Sequence, residues 1–251
     1  MLTQQQAAHF NTFGYLQFPQ LYNADEMAII ARALEEIWQC DAGPSEQGEY
    51  RSVYVVERSP DLTRLLVADD RIYSVVSQLL GADLLWIGSE GNLCHRDSVK
   101  WHPDRKYYKP GQEHWMDFAQ LKLMMYLDPL DSESGCLRVI PGSHRMPFHK
   151  MLGDQEVDHE ARPFGVDGPD IPCVALASQP GDVILFNHTM WHGAFGGGKR
   201  RYIAFKFAAR PTAPHHIESI VEYGGNVFDP HERFTTHEDV RIRDIARIPT
   251  A

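Results

Sequence analysis

The sequence predicts a mainly β protein with packed helices, a sandwich or jelly roll with its helices laid on one sheet. Three observations carry this expectation. Short apolar runs punctuated by turns begin at Asp83, and helical periodicity fills most of what precedes them. The third is size: 251 residues, 43% hydrophobic and 23% charged, suit one large globular core or at most two small ones.

Residues 1–82 read as a mainly helical cover. Thr3 with Gln6, and Asn23 with Glu26, have the spacing of capping boxes, in which two side chains satisfy each other's orphan backbone donors. After the second box, Met27, Ile30, Ala31, Leu34, Ile37 and Trp38 recur on one face of a helix that ends near Cys40. Residues 43–48 form a polar loop. Ser59-Pro60 opens a further helical stretch, closed by Ile72, Val75, Val76, Leu79 and Leu80 with Gly81 as its stop.

The core is expected over 83–210, with strands at 84–87, 121–127, 137–140, 174–177, 183–186 and 202–208. Pro141-Gly142, Pro180-Gly181 and the glycines at 196–198 mark turns between them. The segment 211–251 carries Val221, Phe228 and Phe234 among charges and reads as a wrapping tail, since it shows no second core. The expectation is a single domain over 1–251.

Composition narrows the function classes. Twenty-four basic against 34 acidic residues leave a net charge of −10, which disfavours nucleic acid because phosphate binding needs clustered cations. No apolar run approaches the roughly 18 residues of a spanning helix, and the start lacks the regions of a signal peptide, so no membrane partner and a cytoplasmic location are expected. Cys40, Cys94, Cys136 and Cys173 are isolated, without a CxxC pair, and read as reduced. Thirteen histidines are the unusual feature.

Trp101-His102-Pro103-Asp104 holds a His-x-Asp. In an extended strand His102 and Asp104 point to one side, so an imidazole and a carboxylate can meet one ion. Trp191-His192-Gly193, far downstream, offers a third ligand. Two histidines and a carboxylate on one face of a metal leave the opposite face open, the arrangement suited to non-haem Fe(II) with a chelating cosubstrate and O2. A second motif of the same form, His95-Arg96-Asp97, competes. If 95–104 is one strand, the two pairs face opposite sides and only one can enter a given cavity. His188 likewise competes with His192, because on a continuous strand both would share a side.

The stretches WHPD, LKLMMYLDPLDSESGCLRVIPGSHR and QPGDVILFNHTMWHGAFGGGKRRYIAFKF resemble the phytanoyl-CoA dioxygenase family of Fe(II)/2-oxoglutarate oxygenases in order and spacing. The N-terminal LTQQQAAHFNTFGYLQFPQLYNADEM is similar to that family's opening helix and first strand. The resemblance implies a double-stranded β-helix (jelly-roll, cupin-like) core with a helical N-terminal cover. It implies His102, Asp104 and His192 as iron ligands, and excludes His95, Asp97 and His188. Fe(II) as cofactor, 2-oxoglutarate as cosubstrate and O2 follow from it, as does oxidation of a C–H bond with release of succinate and CO2. Hydroxylation is the usual outcome in such enzymes, with ring formation and desaturation as variants. Halogenation needs an open position in place of the carboxylate, and Asp104 is present.

The far carboxylate of a dicarboxylic oxo acid needs a cation, and a guanidinium fork suits it best. Arg200 and Arg201 open the strand RRYIAFKF. Alternation puts Arg201, Ile203, Phe205 and Phe207 in an apolar row toward the helices. Arg200, Tyr202, Ala204 and Lys206 form a polar row toward the cavity, which makes Arg200 the anchor and Arg201 its competitor. Family members often carry a serine two residues after the distal histidine, and here Ala194 stands instead. Lys122, mid-strand among Leu121 and Leu123, either snorkels out or faces the cavity to touch cosubstrate or substrate.

For the substrate, Tyr107, Tyr108, His114 and Trp115 lie in the loop after Asp104, residues 146–178 form a candidate lid, and Arg138 is read either as meeting an anion or as a salt bridge. A small polar metabolite or natural-product intermediate is expected, with an acyl-CoA disfavoured by the acidic charge. Two other classes use the same residues: a jelly-roll zinc hydrolase, which leaves Arg200 unexplained, and a non-catalytic cupin-like binding protein, which would not need a full ligand set. Oligomeric state is not readable.

Overall fold

Both capping boxes form. A computed structural model of the chain describes residues 1–41, 43–95, 98–104, 118–155, 165–223 and 226–249. Helix α1 (Gln4–Phe13) starts where the Thr3 hydroxyl accepts from the Gln6 amide, and it stops at Gly14, whose φ of 84° suits only a residue without Cβ. Helix α2 (Ala24–Cys40) starts at Asn23 in the same way and buries Met27, Ile30, Ala33, Leu34, Ile37 and Trp38. Ala33, rather than the expected Ala31, is the buried alanine of this face. Helices α3 (Val55–Arg58), α4 (Pro60–Leu66) and α5 (Asp70–Leu80) complete the layer, with Ser59 and Asp69 as caps and Gly81 ending α5.

The N-terminal region is not helical throughout. Strand β1 (Tyr15–Phe18) and strand β2 (Tyr50–Val53) lie among the helices and form the two edges of a six-stranded sheet. The other strands of the protein are β3 (Leu84–Cys94), β4 (Ser98–His102), β5 (Gln120–Tyr126), β6 (Leu137–Val139), β7 (Val174–Leu176), β8 (Val183–Asn187), β9 (His192–Phe195) and β10 (Arg200–Ala209). The large sheet runs β1-β8-β5-β10-β3-β2 and the small one β4-β9-β6-β7, with antiparallel pairing throughout the described residues. Two facing antiparallel sheets joined by strands that cross between them make the expected jelly roll.

Period-two alternation sorts each strand of the large sheet. Leu121, Leu123, Met125, Leu185, Ile203, Phe205 and Phe207 point to the helices and form the main core with Ile30, Leu34 and Val56. Each such side chain, fully buried, contributes about 1.5–3 kcal/mol. The opposite face carries Met124, Tyr126, Ile184, Phe186 and Ala204, which pack on Leu137, Val139 and Leu176 of the small sheet.

The tail reaches both faces. In α7 (Pro214–Tyr223), Ile220 packs on Leu85, Ile87 and Ala208, closing one end of the space between the sheets. In α8 (Glu232–Thr235) and α9 (Val240–Ile245), Phe234, Ile242 and Ile245 join the helix-side core, where Phe234 lies 5.4 Å from the Trp86 ring. The four cysteines are free. Among the described residues no helix is long and apolar enough to cross a membrane.

Candidate metal centre and its cavity

The small sheet brings three side chains to one point. His102 ends β4, Asp104 follows in a turn, and His192 opens β9, where the register sets it opposite His102. One ligand atom from each of the three lies within 4.8 Å of the other two. The closest approaches are 3.9 Å from His102 Nε2 to Asp104 Oδ1 and 3.8 Å from His192 Nε2 to Asp104 Oδ2.

Backbone carbonyls fix which nitrogen faces the cluster. His102 Nδ1 lies 2.8 Å from the Lys100 carbonyl and His192 Nδ1 lies 2.9 Å from the Met190 carbonyl. A carbonyl can only accept, so Nδ1 carries the proton and the Nε2 lone pair turns inward. Burial pushes His192 down to about 3 against the pull of Asp104, so its ring is neutral. Burial alone would raise Asp104, but the Lys122 ammonium and the surrounding imidazoles hold it well below the usual carboxylate range. Two imidazole nitrogens and one carboxylate oxygen converging on one point fit a divalent transition metal.

Of the competing histidines, His95 lies elsewhere and His188 touches the same carboxylate from behind. His95 has left β3 and donates its backbone N–H to Glu49, while Asp97 lies outside the described residues. His188 and His192 do not share a strand, because β8 ends at Asn187 and the chain turns into the other sheet. His188 is fully buried behind the carboxylate, its Nδ1 3.1 Å from Gln120 Oε1 and its Nε2 3.7 Å from Asp104 Oδ2. It stands outside the group of mutually close ligand atoms.

A cavity of about 300 Å³ opens from this point between the sheets, within the range of small-molecule sites. Arg200 lines it and is 2% exposed, with Nη1 3.4 Å from the Gly135 carbonyl. Gly135 leaves room for it: a Cβ there would sit 2.7 Å from the same nitrogen. Arg201 points the other way and is taken up by Asp128, at 2.9 and 2.6 Å, and by Glu35, at 2.7 Å. Tyr126 and Tyr202 line the wall near Arg200, their hydroxyls raised by burial, Tyr202 to about 12. Ala194 lines it too, without a hydroxyl.

Lys122 points into the cavity rather than out to solvent. Its ammonium donates to Asp104 Oδ2 at 2.8 Å and lies 3.5 Å from Glu90 Oε1. Glu90 and Asn92 of β3 also line the cavity and escaped the sequence reading, which ended that strand at residue 87. Simple alternation from Leu84 and Trp86 would turn Glu90 and Asn92 toward the helices. A bulge, where β10 passes from Lys206 opposite Gly88 to Phe207 opposite Trp86, reverses the sides and brings them to the cavity. Lys122 and Lys206 hold Glu90 down at about 2 against the effect of its burial.

Other expectations change. Arg138 makes no salt bridge among the described residues; it donates to the carbonyls of Pro169 and Ser132, at 2.8 and 3.0 Å. The described parts of 146–178, including α6 (Phe148–Asp154) and a 3-10 turn at Gly168–Asp170, do not cover the cavity. Leu152 and Ile171 pack with Trp101, Trp191 and Phe195 on the outer face of the small sheet, where Trp101 Nε1 donates to the Gly168 carbonyl at 2.7 Å. Tyr107, Tyr108, His114 and Trp115 lie outside the described residues.

Comparison with known proteins gives a consistent picture. A family model described as Phytanoyl-CoA dioxygenase (PhyH) matches residues 10–202. An ectoine dioxygenase of Sphingopyxis alaskensis is 26% identical over 233 residues, covering 78% of this chain and 71% of the relative. Among solved structures, HygX of Streptomyces hygroscopicus with nickel and 2-oxoglutarate bound has a TM-score of 0.68 at 21% identity, over 83% of this chain and 87% of that one. EctD of S. alaskensis in its apo form has a TM-score of 0.64 at 24% identity, over 86% and 81% of the two chains. At these identities the structural likeness speaks for the fold, and both are consistent with the two-sheet core.

Proposed function

The chain belongs to the phytanoyl-CoA dioxygenase (PhyH) family, and on that premise we propose that it is a non-haem Fe(II)/2-oxoglutarate-dependent dioxygenase that oxidises a C–H bond of a small polar metabolite. Bound iron, with 2-oxoglutarate and O2, would supply the oxidising power and release succinate and CO2. His102, Asp104 and His192 hold the metal in this reading, and residues 1–251 act as one catalytic domain. Hydroxylation is the expected outcome, and the similar ectoine dioxygenase of S. alaskensis is a relative that takes a small molecule.

The residues divide the work by chemistry. His102 and His192 turn Nε2 toward the metal because their Nδ1–H groups are tied to carbonyls. Asp104 contributes one negative charge, which lowers the cost of bringing a dication into a buried site. Arg200 receives the distal carboxylate of the oxo acid at the cavity wall, and burial strengthens that contact by excluding water. With alanine at 194, a cosubstrate hydroxyl contact has to come from elsewhere, and Tyr126 and Tyr202 are the hydroxyls that line the same stretch of wall. Lys122 faces the metal-chelating end. The open wall at Glu90, Asn92 and Arg51 is left for the primary substrate.

The convergence of two imidazole nitrogens and a carboxylate oxygen within 4.8 Å carries this reading. Anaerobic Fe(II) plus 2-oxoglutarate should give a visible charge-transfer band that neither component gives with the protein alone, and aerobic samples should release succinate. His102→Ala should lose both. No band and no succinate from the unaltered protein would refute the oxygenase; full succinate formation by His102→Ala would refute the ligand set while leaving the class intact.

A further inference from the structure

The wall beside the metal centre holds four charges in a row. The strand register sets Lys206 of β10 opposite Lys122 of β5, two like charges on neighbouring strands, a placement that is unfavourable unless anions intervene. Glu90 intervenes: its Oε1 lies 3.5 Å from each ammonium, and its Oε2 accepts from Asn92 Nδ2 at 3.3 Å. Lys122 then reaches a second anion, Asp104 Oδ2, at 2.8 Å. The sequence Lys206–Glu90–Lys122–Asp104 alternates in sign, and no side chain in it is more than 18% exposed.

That balance holds for the chain without a metal. A dication placed among His102, Asp104 and His192 takes the same carboxylate that Lys122 now holds, and it repels the ammonium across a short, poorly screened distance. Asp104 cannot serve both partners at full strength. Glu90 keeps the ammonium from leaving the cavity wall, and Lys206 keeps Glu90 ionised and in place.

We propose that Lys122 is a metal-responsive latch. It closes on Asp104 in the metal-free chain. A divalent cation frees it from that carboxylate, and Glu90 then holds it at the wall, where it meets the chelating carboxylate of the oxo acid. Glu90 and Lys206 are positioning residues in this device, acting through Lys122. Metal and oxo acid are thereby coupled beyond direct chelation: the metal releases the cation that the oxo acid needs, and by linkage the oxo acid strengthens the metal by the same factor. The latch rests on the oxygenase reading above.

Calorimetric titration of Mn(II) into the protein, with and without saturating 2-oxoglutarate, reads that factor directly, without turnover. For Lys122→Met, Mn(II) alone should bind at least as tightly as in the unaltered chain, because its competitor for Asp104 is gone, and the coupling factor should fall by about tenfold. Lys122→Arg, which keeps the cation, should stay within about threefold of the unaltered coupling. Lys122→Gln serves the same purpose as Met if that variant does not fold. Weaker Mn(II) binding in the absence of oxo acid, or undiminished coupling in Lys122→Met, would overturn the latch while leaving the oxygenase reading intact. An unaltered chain that binds neither Mn(II) nor 2-oxoglutarate would overturn both.

Discussion

At the scale of single residues, two neighbouring arginines with one chemistry have opposite surroundings. Arg200 is buried beside the Gly135 carbonyl in the cavity wall, while Arg201 is held by Asp128 and Glu35 on the helix side. A hydrogen-bonded charge pair out of water is worth about 1.5–3 kcal/mol, so Arg200→Met should raise the KM for 2-oxoglutarate by roughly 10–100-fold and leave the KM for the primary substrate within a few-fold. Arg201→Met should leave both constants within about twofold and lower stability by up to about 1 kcal/mol, the value of a partly solvated pair. Steady-state kinetics with each substrate varied in turn checks both. Equal effects of the two substitutions on the oxo-acid KM would remove Arg200 from the anchor role. Alternation within RRYIAFKF was enough to separate these residues in the sequence, because Ile203, Phe205 and Phe207 define an apolar row. Lys122 and Glu90 were harder to read. A charged residue in a strand ordinarily points to solvent, and only the small sheet closing over β5 makes these positions interior.

At the scale of elements, local signals were legible and distant pairings were not. Both capping boxes and the Gly81 stop act within three or four residues, and α1, α2 and α5 form where those signals stand. YLQF and YRSV, by contrast, are four-residue edge strands. Their partners are 183–186 of β8 and 90–93 of β3, so local pattern announces neither, and only the family resemblance of the N-terminal stretch implied the first. The docking of α3 on β3 is equally invisible in the sequence and has a testable pH signature. Glu57 of α3 is 1% exposed and accepts from Trp86 Nε1 at 2.6 Å and from the Ser89 hydroxyl. Burial pushes its carboxyl above the ordinary value, against the opposing pull of those two hydrogen bonds. The folded chain therefore binds this proton more tightly than the unfolded one. The corresponding stability is present below the unfolded value, near 4.3–4.5, and is lost as pH rises toward the folded one. Glu57→Gln keeps the volume and an acceptor while removing the charge. Its melting temperature should match or slightly trail the unaltered chain at pH 4 and exceed it by about 2–4 °C at pH 7 to 8, the shift expected for about 1 kcal/mol. Melting curves across that range decide it; a difference independent of pH would show that the carboxyl titrates alike in both states.

For the whole molecule, the centre joins parts of the fold that are far apart in the chain. His102 and His192 sit on adjacent strands of the small sheet, while Asp104 is anchored through Lys122 to the large sheet. A metal bound to all three therefore ties β4 and the turn after it to β9, and it binds only when these segments are correctly apposed. Any ligand that binds the folded state alone raises its stability by RT ln(1 + [L]/Kd), about 2.7 kcal/mol at a hundred times Kd. For a chain of this length that is roughly 5–11 °C at 2–4 °C per kcal/mol. Mn(II) with 2-oxoglutarate, both well above their dissociation constants, should raise the melting temperature by an amount of that order, and excess chelator should reverse it. His192→Ala should abolish the metal-dependent part, and Arg200→Met should keep the response to Mn(II) alone while losing most of the additional response to the oxo acid. That pattern separates the two ends of the cavity by thermal measurement alone. A full ligand-induced shift in His192→Ala would mean that the stabilising ion sits elsewhere and that β4 and β9 are not joined through this centre.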